Sequence, residues 1–196
     1  MKYIGTVCTV LIALLVLPAI SSAQDSPVTK GHWMIDGSIS FQSKAGDAYE
    51  NAEGDGRTEI TFSPAAGYFF MDQLAVGASI LYTSIQQGDN TDQTNLEIGP
   101  YLAYYFKTGN PEFLPLLGAA VRYASQAPNE DVTLNKFVIQ IFGGAVYMVT
   151  EQVGIGGRLA YSIVNQSYDI DGASEDPDSD SGSIFSFFVT VEVFIP

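Results

Sequence analysis

The chain has 196 residues, only 15% of them charged, and 22 acidic residues against 8 basic ones set its net charge at −14. That sign excludes a nucleic-acid partner, because binding phosphate needs a basic surface. One cysteine, Cys8, and one histidine, His32, exclude a disulfide framework and a transition-metal ligand set.

In chain order, the first element stands outside the fold. Lys2 gives a positive start, Ile4 to Ile20 is apolar, and Ser21-Ser22-Ala23 supplies the small residues of an export cleavage site. Residues 1–23 are therefore expected to be a cleaved signal peptide, the other reading being an uncleaved anchor. Residues 24–30 form a short N-terminal segment, and the domain runs from 31 to 196. Beyond the signal, no stretch is long and apolar enough for a membrane helix. A chain that spans a membrane must then do so with strands.

Eight runs follow with a period of two: Gly31–Ser43, Arg57–Phe69, Leu74–Ile85, Thr94–Lys107, Phe113–Ser125, Thr133–Val149, Val153–Gln166 and Ser183–Ile195. Most hold about 11 to 15 residues, longer than the ~5–6 of globular strands and enough to cross a bilayer at a tilt. Their connections alternate. Lys44–Gly56, Gln86–Gln93, Gln126–Asp131 and Ser167–Gly182 are polar and acidic, whereas Phe70–Gln73, Thr108–Glu112 and Thr150–Gln152 are tight. Short turns at one end and longer loops at the other are the asymmetry of an outer-membrane barrel. The predicted fold is all-β: an eight-stranded antiparallel up-and-down transmembrane barrel, with both termini on the periplasmic side.

Alternation alone does not say which face meets solvent, but the opposite face does. Thr58, Ile60, Phe62, Pro64, Ala66 and Tyr68 oppose Arg57, Glu59, Thr61, Ser63, Ala65 and Gly67; Phe185, Phe187, Val189, Val191, Val193 and Ile195 oppose Ser186, Phe188, Thr190, Glu192 and Phe194. With the apolar set inside, the exterior would be small residues with few charges, a poor soluble surface. Reversed, small and polar residues fill a narrow lumen and the apolar set meets lipid. Trp33, Tyr68, Phe69, Phe70, Tyr104, Tyr105, Phe106, Phe113 and Tyr147, all near the tight turns, are expected to form an interfacial girdle.

The stretches "SPAAGYFFMDQLAVGASILY", "EIGPYLAYYF" and "FLPLLGAAVRYAS" resemble strands two to five of the bacterial outer-membrane protein β-barrel domain family, the small barrels grouped with OmpX and OmpW. The likeness covers about residue 31 to the end. It implies a last strand, Phe185 to Ile195, read by the barrel-assembly machinery, although the chain closes Phe194-Ile195-Pro196 rather than on an aromatic.

Inward parity gives two charge clusters. Asp36, Arg158 and Glu192 lie near the periplasmic end, on strands one, seven and eight; Glu59, Glu97 and Arg122 lie nearer the outer end, with Arg57 at the rim. Confined carboxylates need partners, so both clusters are expected to plug the lumen with salt bridges, as structural filling or as a gate. Outside, the fourth loop carries Asp169, Asp171, Glu175, Asp176, Asp178 and Asp180. The run from Asp176 fails an EF-hand template, with Ser181 at position 6 and Phe187 at position 12. Weak divalent-cation binding shared with lipopolysaccharide is the most it offers, and no dedicated metal or cofactor is expected. His32 sits at the periplasmic end, away from any external serine, so no Ser/His/acid arrangement faces the outer leaflet.

The sequence thus reads as a non-catalytic integral outer-membrane barrel, monomeric and surrounded by outer-membrane lipid and lipopolysaccharide, with a structural or surface-interaction role through acidic loops. The alternative is a small-solute channel or a route for hydrophobic compounds through the wall, because Pro64, Pro100 and Pro115 each remove a ladder hydrogen bond. A lipid A-modifying enzyme is the third reading.

Overall fold

A computed structural model of the chain describes residues 26–44, 57–87, 92–129, 132–170 and 180–196. The expected signal peptide lies outside these residues, as do Asp171, Glu175, Asp176 and Asp178 of the fourth loop. Eight strands, β1 (Trp33–Lys44), β2 (Arg57–Met71), β3 (Leu74–Gln87), β4 (Asp92–Tyr105), β5 (Phe113–Asn129), β6 (Val132–Met148), β7 (Val153–Ile170) and β8 (Asp180–Ile195), close in chain order into an antiparallel barrel.

The alternating pattern explains the wall. On β4, Leu96, Ile98, Leu102 and Tyr104 point out and are exposed, while Glu97, Tyr101, Ala103 and Tyr105 are buried inside. The same parity on the other strands leaves a continuous apolar exterior, including Ile39, Phe41, Ile80, Ile141, Ile163 and Phe187. Soluble monomers do not carry apolar surface on that scale; a closed barrel immersed in hydrocarbon must. Among the described residues, no helix is long and apolar enough to cross a membrane.

At the tight-turn end the strand limits lie within two residues of those read from the sequence. At the other end several strands run further, because backbone pairing continues where both faces are wet and the alternation fades. β5 and β6 pair to Asn129↔Val132, and β7 and β8 to Gln166↔Asp180. Asp92, Asp169 and Asp180 therefore belong to strands rather than loops. The contrast of long and short connections rests on the first and fourth loops, since β5 and β6 are joined by residues 130–131 alone.

The seams are unequal. β1 meets β8 only from Trp33↔Ile195 to Ile39↔Val189. β4 meets β5 from Tyr105↔Leu116 to Tyr101↔Ala120, and again at Ile98↔Tyr123, with Gly99 and Pro100 skipped. The other ladders run nearly the full strand, though β2–β3 skips Ser63 and Pro64. Each of the three prolines keeps its register with one neighbouring strand, Pro64 with Gly37, Pro100 with Ala78 and Pro115 with Ala145, and the Pro115 carbonyl accepts from Phe106 N at 2.8 Å. The barrel is thus two four-stranded sheets, β1–β4 and β5–β8, joined along two short seams toward the tight turns.

The lumen departs from the expected filling at its tight-turn end. Met34, Phe69, Tyr105, Leu114, Val146 and Phe194 form an apolar floor, each no more than 2% exposed. Phe69 and Tyr105 lie here rather than in a girdle, their ring centroids 5.6 Å apart edge-to-face, with Phe194 6.1 Å from Tyr105. Trp33, Phe70, Tyr104, Phe106, Phe113 and Tyr147 do face outward. Both inward aromatics share the parity of buried neighbours, and that parity prevails over their nearness to a turn.

Residues 26–32 strap this floor from beneath. Val28 is fully buried and its carbonyl accepts from Gln73 N at 2.7 Å, while Lys30 N donates to Asp72 Oδ1 at 2.9 Å. Gln73 holds a left-handed φ of 70° in the β2–β3 turn. Its Nε2 bond to Tyr105 O at 3.2 Å and the Val28 bond fix a conformation that is otherwise costly without glycine.

Candidate functional site: two charge clusters in the lumen

Above the floor, Arg158 on β7 reaches across the closing seam. Its Nη1 donates to Asp36 Oδ2 on β1 and its Nη2 to Glu192 Oε1 on β8. Asp36 and Glu192 are direct register partners with inward side chains, 3% and 0% exposed, so like charges face each other across the seam. Arg158 neutralises one of them. Ser38 Oγ donates to Asp36 Oδ1 at 3.0 Å, and Tyr105 Oη donates to Glu192 Oε2 at 2.7 Å. All four carboxylate oxygens therefore have a donor, which is what burial of such groups demands. The Arg158 guanidinium carbon also lies 5.6 Å from the centre of the Phe142 ring.

A second cluster crosses the other short seam. Glu97 on β4 accepts from Arg122 Nε on β5 at 3.3 Å and from Lys136 Nζ on β6 at 2.6 Å. Asn95 Nδ2 adds a bond at 2.9 Å. Glu97 and Arg122 are 3% and 4% exposed, so this pair is also buried. Lys136 is the residue that sequence reasoning missed; it shares the inward parity of Val138, Gln140 and Phe142 on β6, and that parity was the available signal.

The remaining expected members stand apart. Glu59 lies on β2, half-buried opposite Gln42 and Ile85, and is engaged in an interaction of its own. Arg57 pairs in register with Lys44 and Gln87, and its side chain lies outside the described residues. The side chains of Asp169 and Asp180 do so as well. His32 belongs to the strap, with its Nδ1 3.3 Å from Pro27 O.

The clusters carry opposite net charge. Asp36, Glu192 and Arg158 sum to −1, and Glu97, Arg122 and Lys136 sum to +1. Between them lies a cavity with about 50 Å³ open to the centres of water molecules. Asp36, Ser79, Tyr101, Arg122, Gln140 and Arg158 supply its polar lining. Tyr101 is held across it by two glycines paired in register, Gly67 and Gly77, where any Cβ would collide with the tyrosine ring or hydroxyl.

A family model described as the outer membrane protein beta-barrel domain matches residues 9–192. Neisserial surface protein A is similar in fold, with a TM-score of 0.56 at 17% identity over 84% of this chain and 97% of that one. The outer membrane protein OprG from Pseudomonas aeruginosa gives a TM-score of 0.53 at 16% identity over 87% of this chain and 99% of that one. No curated protein sequence matches the chain.

Proposed function

Because this chain belongs to the outer membrane protein beta-barrel domain family, we propose that it serves the bacterial outer membrane as a sealed, non-catalytic barrel. In this reading its termini are periplasmic, the barrel is monomeric, and its acidic loops are the working surface. They would meet lipopolysaccharide through shared divalent cations, or a surface partner. One observation carries the sealed reading: the floor of Met34, Phe69, Tyr105, Leu114, Val146 and Phe194, strapped by Val28 and roofed by the Arg158 cluster. A solute crossing the lumen must unpack these side chains and break a buried ion triad, which costs several kcal/mol.

The test is planar-bilayer conductance of the refolded chain, with folding established by heat-modifiable gel mobility. Silence is expected. Discrete, reproducible openings from the folded barrel would replace this reading with a channel.

A second reading, lateral passage of hydrophobic compounds, draws on the β4–β5 seam, whose ladder has no pairs beyond Ile98↔Tyr123 toward the loops. Exposed Leu96, Ile98 and Tyr123 flank it. A disulfide between Leu96→Cys and Ser125→Cys, which continue the ladder register, would abolish transfer of a hydrocarbon probe into vesicles carrying the barrel. Equal transfer in the oxidised and reduced forms would sink this second reading.

A further inference from the structure

We propose that the loop-side half of the β1–β8 seam is a lateral slot in the wall that holds one lipid acyl chain. The slot begins where pairing stops. β1 and β8 pair from Trp33↔Ile195 to Ile39↔Val189. Past that point β1 still pairs with β2 as far as Lys44↔Arg57, and β8 still pairs with β7 as far as Gln166↔Asp180. Ser40–Lys44 and Asp180–Phe188 therefore carry a backbone ladder on one side only.

The side chains at the break are apolar. Phe41 and Phe185, one on each lip, are the two most exposed large hydrophobics among the described residues, at 67% and 66%. Phe187 is exposed on the same lipid-facing side. On the lumen side, Ile184 has the inward parity of Phe188 and Thr190, yet it is 43% exposed, whereas its register partner Ser162 on β7 is buried. One flank of Ile184 is covered by β7; the missing cover lies on the other, where β1 no longer pairs. Buried Phe188 stands lower on the same face. A Cβ placed on Gly182, which pairs with Val164, meets nothing within 4 Å, so the space beside Ile184 is open toward the loops.

Chemistry and position choose the occupant. Water finds few partners among Phe41, Phe185, Phe187 and Ile184, and wetting them forfeits the burial that drives apolar contact. An ion finds no counter-charge, since Ile39–Phe41, Leu159–Ser167 and Ser181–Val189 hold no charged residue. The β4–β5 seam differs, because the Glu97, Arg122 and Lys136 cluster stands behind it. The slot is also continuous with the wall that meets hydrocarbon, where Ile39, Phe41, Phe187 and Val189 form its approach. An acyl chain is the apolar group already at that wall, and its middle can rest against Ile184 while its head stays in the loop-side leaflet. The floor and the Arg158 cluster lie below, so the slot is independent of whether the barrel conducts.

The refolded full chain would be placed in vesicles of phosphatidylcholine carrying a mid-chain diazirine, irradiated, and its lipid adducts mapped to residues by mass spectrometry. Adducts on Phe41 and Phe187 report only the wall. The expected result is an additional adduct on inward Ile184 or Phe188, with none on inward Ser79 or Thr83 of β3. A second measurement exploits the single tryptophan, Trp33. In a Trp33→Phe background and with folded gel mobility established, Ile184→Trp should be quenched by mid-chain brominated phosphatidylcholine as strongly as Phe185→Trp. Thr83→Trp should keep its intensity. Adducts confined to outward residues, or an Ile184→Trp signal that bromine leaves unchanged, would overturn the proposal. Adducts or quenching at Thr83 equal to those at Ile184 would overturn it too, since lipid would then fill the lumen at large.

Discussion

Replacing Arg158 with methionine, which keeps an unbranched stem and removes the guanidinium with its charge, would leave Asp36 and Glu192 facing each other as buried register partners. Breaking a buried ion pair by removing one member costs about 3–5 kcal/mol. An independent figure comes from Coulomb's law: two like charges ~5 Å apart at an effective dielectric of ~20 repel by roughly 3 kcal/mol. The strain falls on a seam of seven register pairs, from Trp33↔Ile195 to Ile39↔Val189, so the ladder has little surplus to absorb it. Trp33, the only tryptophan, sits on β1 at that seam and is 54% exposed, a local reporter for the assay. Urea unfolding in detergent, followed by its fluorescence and by gel mobility, should show Arg158→Met destabilised by about 3–5 kcal/mol. Adding Asp36→Asn and Glu192→Gln removes the repulsion and should restore more than half of the loss. A loss under ~1 kcal/mol, or a triple variant no better than the single one, would refute the claim that Arg158 holds two like charges together.

Tyr105→Phe takes away the donor to Glu192 Oε2 at 2.7 Å and should cost about 1–3 kcal/mol in the same titration, with conductance still silent. Gly77→Ala drives a Cβ into Ala66 O and the Tyr101 ring; a loss of about 1–3 kcal/mol is expected, whereas Gly109→Ala, with open space around it, should shift the midpoint by no more than ~0.5 kcal/mol. Glu97→Gln leaves buried Arg122 and half-buried Lys136 without their counter-charge, and a drop of about 2–4 kcal/mol in unfolding free energy is expected.

The fold was legible because a membrane barrel writes its wall into the sequence twice, as an apolar face and as a small or polar one. Asp36, Arg158 and Glu192 could be brought together from parity and closure alone, since β1 and β8 must pair when the sheet closes. Glu97 and Arg122 followed from the same parity. Lys136 escaped because a lysine near a strand end reads as rim, although Val138 and Gln140 on the same parity are buried. The floor escaped for another reason. Phe69 and Tyr105 are near the tight turns, where an interfacial girdle is also expected, and proximity to the turn does not distinguish inside from outside. Parity does, and Tyr105 sits two residues from inward Ala103. Strand length toward the loops was the least legible feature, because Gln166↔Asp180 and Gln126↔Leu134 pair through backbone bonds that impose little demand on side-chain pattern.

The placement of the ion clusters follows from where the sheet is weakest. A closed barrel of eight strands has eight seams, and here six carry long ladders while two stop near mid-height. Each cluster crosses one of the two short ones: Arg158 ties β7 to β1 and β8, and Arg122 with Lys136 ties β5 and β6 to β4. On the β4–β5 seam the side-chain tie stands where the backbone ladder ends, and on the β1–β8 seam it stands at mid-ladder, at Asp36↔Glu192. That arrangement makes the clusters staples between two four-stranded sheets before it makes them obstacles in a pore. It also separates the two roles experimentally. If the clusters were chiefly a gate, Glu97→Gln and Arg158→Met should change conductance with little loss of stability. If they are staples, both should lose stability by several kcal/mol, and the apolar floor beneath them should keep the barrel silent until the sheets part.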